Sequence, residues 1–88
     1  MNIYSVYDKA TKTYGTPWFQ PTDQAALRGF TNEVNRPAES NVIYTNPEDF
    51  VLYKLGKFSP ELGVLDVNEN PELMAKAIAL VKTDTKER

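Results

Sequence analysis

The chain has no cysteine and no histidine. It therefore makes no disulfide, offers no thiolate nucleophile, lacks the usual zinc ligands, and has no imidazole for proton transfer near neutral pH. Glycine is scarce as well: Gly15, Gly29, Gly56 and Gly63 stand singly, so no glycine-rich loop exists to cradle a nucleotide phosphate. No apolar run approaches the roughly 18 residues of a membrane-spanning helix. The start, Met1-Asn2-Ile3-Tyr4, lacks the basic segment and apolar stretch of a targeting signal, and a soluble, cytosolic protein that touches no membrane is expected. Charge of one sign is not in excess either. Ten Lys and Arg against twelve Asp and Glu give a net charge of −2, which excludes a global basic field for nucleic acid or anionic lipid. A polyanion would have to be met by a local patch. Residues 1–60 leave room for one, because their six cations balance six acids and residues 61–88 carry the whole −2.

These absences remove most enzyme designs, and a non-catalytic protein without cofactor or metal is expected. A nucleophilic Ser or Thr would need a Lys or carboxylate base in a desolvated pocket, and no spacing here suggests one. The acidic pair Glu48-Asp49 follows Asn46-Pro47, the order of a helix start in which acids complement the amide end. Glu69 and Glu72 flank Asn70-Pro71 in the same way.

What is present is an ordinary apolar content with 11% aromatic residues, enough for one small domain. That domain is expected over residues 1–82, with 83–88 a frayed tail. Asn2 to Asp8 carries Ile3, Tyr4, Val6 and Tyr7, types that suit a strand. A polar turn follows, and Tyr14 to Phe19 reads as a short return strand at an edge, since Gly15 and Pro17 forbid a long one. Thr22-Asp23 caps a helix whose apolar stripe is Ala26, Leu27, Phe30 and Val34 and which ends near Asn35, ahead of Pro37. Ala38 to Thr45 has little period and reads as loop, although Val42-Ile43-Tyr44 leaves a short strand or a packed segment open. One helical turn is expected at Asn46 to Asp49. Phe50 to Ser59 is the clearest strand, with Val51, Tyr53 and Leu55 on one face and Phe50, Leu52, Lys54 and Phe58 on the other. Ser59 to Gly63 is a turn and Val64 to Val67 pairs back. Asn70-Pro71-Glu72 then opens a second helix to about Lys82, with Leu73, Met74, Ala77, Ile78, Leu80 and Val81 as its apolar face. The expected fold is α+β, in ββαββα order, with a small four-stranded antiparallel sheet and two helices packed on one face. Its other face is open.

Aromatic residues are interleaved with cations in Tyr7-Asp8-Lys9, Lys12-Thr13-Tyr14, Trp18-Phe19 and Tyr53-Lys54-Leu55-Gly56-Lys57-Phe58. Single-stranded nucleic acid is held by such a combination, each base stacking on a ring while cations follow the phosphates. The candidate contacts are Tyr7, Lys9, Lys12, Tyr14, Trp18, Arg28, Lys54 and Lys57. Against this stands core packing, which claims large side chains in any small domain. Trp18, on a short edge segment, is balanced between exposure and burial. Lys54 and Lys57 lie on opposite faces of an ideal strand, so either Gly56 marks a bulge that realigns them or only Lys54 belongs to a ligand face. Open edges and an open face also suit self-association as a two-fold dimer.

Tyr4-Ser5-Val6-Tyr7-Asp8, Tyr14, Pro17-Trp18-Phe19, Ala26, Arg28 to Phe30, Asn46-Pro47-Glu48-Asp49-Phe50, Leu52-Tyr53-Lys54-Leu55-Gly56 and Phe58 resemble, in order and spacing, the small nonstructural protein of gokushovirus-type microviruses, which are single-stranded DNA bacteriophages. The resemblance covers residues 3 to 67. Trp18 departs from it, since a second proline more often precedes the phenylalanine there. The resemblance implies a non-virion, DNA-binding protein in the host bacterial cytoplasm, acting in viral genome replication or packaging, and it implies no catalytic residues. The expected activity is weak, salt-sensitive single-stranded DNA binding by a homodimer. The alternative is a module that docks on a viral replication or assembly protein without touching DNA.

Overall fold

Strand β1 (Asn2–Asp8) lies where its β-branched and aromatic residues place it, and it pairs antiparallel along most of its length with β4 (Phe50–Ser59). The structure, a computed structural model, describes residues 1–82. The outer edge of β1 is shared by two short segments, β2 (Thr13–Tyr14) opposite Tyr7 and Asp8, and β3 (Trp18–Gln20) opposite Asn2, Ile3 and Tyr4. Pro17 has no amide hydrogen to donate, which splits the return strand in two. Gly15, in the gap, donates its N–H to the Val6 carbonyl at 2.8 Å. The other edge of β4 is covered by β5 (Val64–Lys76), giving a five-stranded antiparallel sheet in place of the expected four.

Helix α1 (Asp23–Val34) has the expected cap, since the Thr22 hydroxyl oxygen accepts from the Ala25 amide at 3.0 Å. Its stripe of Ala26, Phe30 and Val34 is buried against Tyr4, Phe50 and Leu52, with Leu27 half-buried beside them. Burial of a side chain such as Phe30 is worth about 1.5–3 kcal/mol. The segment expected as loop contains one helical turn, α2 (Val42–Thr45), and the turn expected at Asn46 to Asp49 is a 3-10 turn, Pro47–Asp49. Asn41 explains α2, because its side chain caps the Ile43 and Tyr44 amides at 3.2 and 3.4 Å.

The second helix is the main correction. Residues from Asn70 to Lys76 continue β5, and only Ala77–Leu80 is helical, as the single turn α3. The cause is β4. Val51 and Leu52 are buried, so the peptide groups of that strand have no water to bond and need a ladder partner. Lys76, Ala75 and Leu73 supply it opposite Val51, Leu52 and Tyr53. Pro71 is tolerated because pairing lapses between Lys54 opposite Glu72 and Gly56 opposite Val67, and in the gap Asn68 Nδ2 donates to the Lys54 carbonyl at 3.1 Å. The apolar face read at helical spacing is thereby divided: Ala77 joins the core, Met74 and Leu80 pack against it, and Leu73 and Ile78 are exposed. The element order becomes strand, strand, strand, helix, helix, strand, strand, helix among the described residues. The tail expected at 83–88 lies outside them.

Asn35 joins the two ends of the helical layer. Its amide nitrogen donates to the Leu80 carbonyl at 3.0 Å while its oxygen accepts from the Lys82 amide at 2.8 Å. The β4–β5 hairpin closes at Gly63, whose φ of +67° is available to glycine at little cost and whose N–H reaches the Ser59 carbonyl at 2.8 Å.

Candidate functional site

Alternation along β1 sends Tyr4 and Val6 into the helix-side core and Ser5 and Tyr7 to the opposite, open face. There three tyrosines from three strands meet. The ring centroids of Tyr7 and Tyr14 are 4.7 Å apart, Tyr14 and Tyr53 5.6 Å, and Tyr7 and Tyr53 6.3 Å. The first pair is inclined and the other two are edge-to-face, arrangements that the ring quadrupoles favour. Ser5 and Val51, between them on this face, are buried, and the Ser5 hydroxyl donates to the Gly15 carbonyl at 2.7 Å. Tyr14 remains 45% exposed. Its phenol is held above the ordinary value, first by partial burial and then by the neighbouring Tyr53 and Tyr7.

Cations surround this cluster at one end. Lys9 and Lys12 are exposed in the turn that joins Tyr7-Asp8 to Thr13-Tyr14. Lys12 sits at φ +60°, a left-handed conformation unusual for a side-chain-bearing residue, with its amide donating to the Asp8 carbonyl at 2.7 Å. Lys76 stands opposite Val51, which stands opposite Tyr7, so all three share the open face. Four of the eight candidate residues, Tyr7, Lys9, Lys12 and Tyr14, are thus brought together.

The other four lie elsewhere. Trp18, opposite Tyr4, points to the helix side, where its ring centroid is 5.9 Å from that of Tyr4 and it lines a cleft of about 300 Å³ with Val6, Gly29, Phe30, Glu33 and Ile43. Arg28 is exposed on α1. Lys54 is engaged, its Nζ 3.2 Å from an Asp23 carboxylate oxygen that also accepts from the Tyr4 hydroxyl at 2.5 Å and from Asn2 Nδ2 at 3.2 Å. The Asp23 carboxyl is held below its usual range, chiefly by the Tyr4 hydroxyl and then by Lys54, while the buried Tyr4 phenol is pushed up to about 12 by desolvation and by Asp23.

The question of a bulge in β4 is answered by the register. Lys54 is opposite Tyr4 but Gly56 is opposite Ile3, so Leu55 is extra. Beyond it the faces exchange: Lys57, opposite Asn2, returns to the side of Lys54, and Phe58 moves to the open face, contrary to simple alternation. Phe58 there meets Phe19 edge-on, with centroids 5.9 Å apart. Gly56 permits the crossing of β4 and β5, since a Cβ on it would lie 2.7 Å from the Val67 Cα.

Two members of the tyrosine site were missed as candidates. Tyr53 stands in the interleaved run and was legible there, but alternation alone did not tie it to Tyr7. Lys76 carried no signal, because it was read on a helix.

This arrangement is a small α+β fold with one face of its sheet left uncovered by the described residues and an aromatic cluster on that face. The chain belongs to the Phage ORF5 protein family, whose sequence model matches residues 1–80, and it is a small phage protein of the gokushovirus type. It is 32% identical to Protein ORF5 of Chlamydia phage 1 over 65 residues, covering 72% of this chain and 68% of that protein. No solved structure matches the chain. Among the described residues no helix is long and apolar enough to cross a membrane.

Proposed function

We propose that the chain is a non-catalytic single-stranded DNA-binding protein of the phage, acting in genome replication or packaging in the host cytoplasm, and that Tyr7, Tyr14 and Tyr53 are its base-stacking platform. One observation carries this reading: three rings from three strands converge on an uncovered sheet face, with Lys9, Lys12 and Lys76 around them. Stacking on an aromatic side chain is worth about 1–3 kcal/mol per base, and cations on the rim can follow the phosphates. The slight net negative charge keeps such binding weak and salt-sensitive. Trp18 and Lys54 leave the contact set, the one being packed on the helix side and the other engaged by Asp23. Arg28 and Lys57 lie off this face and become secondary contacts at most.

Fluorescence anisotropy of a labelled mixed-sequence oligonucleotide tests the reading. Binding in the tens of micromolar range is expected at low salt, weakened at least tenfold by Tyr14→Ala with Tyr53→Ala, and unchanged by Arg28→Gln. Lys12→Gly relieves the left-handed strain while removing a cation, so it should leave folding intact and flatten the slope of log K against log salt by about 0.7. No binding at 100 µM protein and low salt would overturn the proposal.

A second reading, docking on a replication or assembly protein without DNA contact, is favoured by the scarcity of cations on the face itself, where Lys76 is flanked by aromatic and aliphatic side chains. Salt separates the two. A phosphate-contacting complex weakens steeply with ionic strength and an apolar docking surface does not.

A further inference from the structure

Strand β5 is the edge of the sheet, and among the described residues nothing pairs with its outer side. Every residue of it from Val64 to Leu73 is exposed. The direction of its main-chain groups follows from β4. The Phe58 N–H donates to the Met1 carbonyl at 2.8 Å, on the β1 side, so alternation turns the N–H and C=O of Lys57 the other way, toward its β5 partner Asp66. Asp66 therefore bonds inward, and Leu65 and Val67 on either side of it hold their N–H and C=O out from the sheet. We propose that this stretch of edge receives an extended segment of another protein, alternating basic and apolar residues, as an added strand.

The occupant follows from what the edge offers. Main-chain donors and acceptors at strand spacing are matched by another extended backbone, and the side chains of β5 set its sequence. Leu65 and Val67, 57% and 66% exposed, lie on the open face beside Phe58, so the residues that neighbour them are apolar. Asp66 projects to the opposite side. Its cross-strand neighbour Lys57 lies in β4, one strand farther from the added segment, so the residue facing Asp66 across about 4.8 Å is Lys or Arg. Glu61 in the hairpin turn and Glu69 past Val67 extend the negative charge at either end, and among the described residues neither pairs with a cation. The Met1 ammonium, 3.1 Å from the Phe58 carbonyl, is on the β1 side, with β4 and β5 between it and the edge. Two copies of β5 paired antiparallel about Asp66 would set acid against acid, which disfavours self-pairing. The site is short, because pairing with β4 lapses after Val67.

NMR titration of the full chain with the peptide acetyl-Lys-Val-Lys-Val-Lys-Val-Lys-amide tests the proposal. Saturable binding is expected at low salt, with a dissociation constant below about 1 mM. Amide exchange should slow at Leu65 and Val67, whose N–H groups gain partners, and change little at Asp66, which is already bonded. The counterpart with Glu in place of each Lys should bind at least about tenfold more weakly. Asp66→Lys, at an exposed side chain, should weaken the basic peptide about tenfold with circular dichroism unchanged. Should that variant lose its fold, the two peptides on the wild-type chain decide. No binding at about 5 mM peptide, equal affinity for the acidic counterpart, or shifts confined to the tyrosine end of the sheet overturns the inference. Protection of Leu65 and Val67 that rises with protein concentration in the absence of peptide assigns the edge to a second copy and overturns it as well. No oligonucleotide enters these measurements, so their outcome is separate from that of the DNA-binding reading.

Discussion

Asn41 is buried, yet each polar atom of its side chain is engaged. Its amide nitrogen donates to the Glu33 and Arg36 carbonyls at 2.9 and 3.0 Å, and its oxygen takes the first amides of α2. The residue thus closes the end of α1 and starts the next turn at once. Asn41→Asp keeps the shape and the cap but turns the two donors into a charge facing two carbonyls, and it should destabilise the fold by about 3 kcal/mol at pH 7. Urea unfolding measures this, and partial recovery near pH 3 should follow as the carboxyl protonates. The same residue-scale logic separates the two kinds of lysine here. Lys54 sits against Asp23 with its side chain only 15% exposed, whereas Lys9 and Lys12 are held out by a turn and, among the described residues, pair with no carboxylate. Both kinds stood beside aromatic residues in the sequence and looked alike. Only the position of Asp23, thirty-one residues away from Lys54 in the chain, distinguishes them.

At the scale of elements, the β4–β5 pair does most to shape the molecule. Gly56 lies where the two backbones approach too closely for any side chain, and the extra residue Leu55 exchanges the faces beyond it. Gly56→Ala should therefore cost about 1–3 kcal/mol and loosen the hairpin end before the core, visible as faster amide exchange at Lys57 and Phe58 with little change at Leu52. Helix α1 was legible in full, because its cap, stripe and terminating proline are local. The strand β4 was legible as a strand, but the side to which Phe58 and Lys57 point was not, since a bulge is set by the register of β1 against β4. The segment from Asn70 to Lys82 was misread for a related reason: its proline and acids make a good helix start, and its apolar spacing fits a helix, but the unpaired edge of β4 outweighs that local preference. With Lys76 placed on a helix, one cation of the candidate site could not be seen.

For the whole molecule, the titratable groups predict how stability depends on pH. Asp23 and Glu33 are both held below their usual values, Asp23 first by the Tyr4 hydroxyl and Glu33 first by Arg36. A carboxyl lowered on folding contributes stability that is present above its unfolded value, near 4, and is lost as pH falls through the lowered one. Tyr4 behaves in the opposite sense. Its phenol rises on folding to about 12, so its contribution is complete below the unfolded value near 10 and is lost as pH climbs from there. Thermal unfolding should show a plateau from about pH 6 to 9 with a decline on each side. Asp23→Asn should lower the plateau by no more than about 1 kcal/mol, the pair with Lys54 being partly solvated, and should soften the acid decline. An unaltered acid limb in that variant would place the titration elsewhere.

The sequence by itself determined much of what depends on neighbours a few residues apart: the absence of thiol and imidazole chemistry, the capped helix α1, the strands β1 and β4, and the turns at Pro47 and Gly63, though not the short turn α2 that Asn41 caps. It also carried the family resemblance. The tertiary structure decided which residues share a surface. Cross-strand register brought Tyr7, Tyr14, Tyr53 and Lys76 to one face, sent Trp18 to the other, and drew residues 70–76 into the sheet. These outcomes rest on pairing between strands distant in the chain, where the need of a buried backbone for hydrogen-bond partners outweighs the local preference of the residues that supply them.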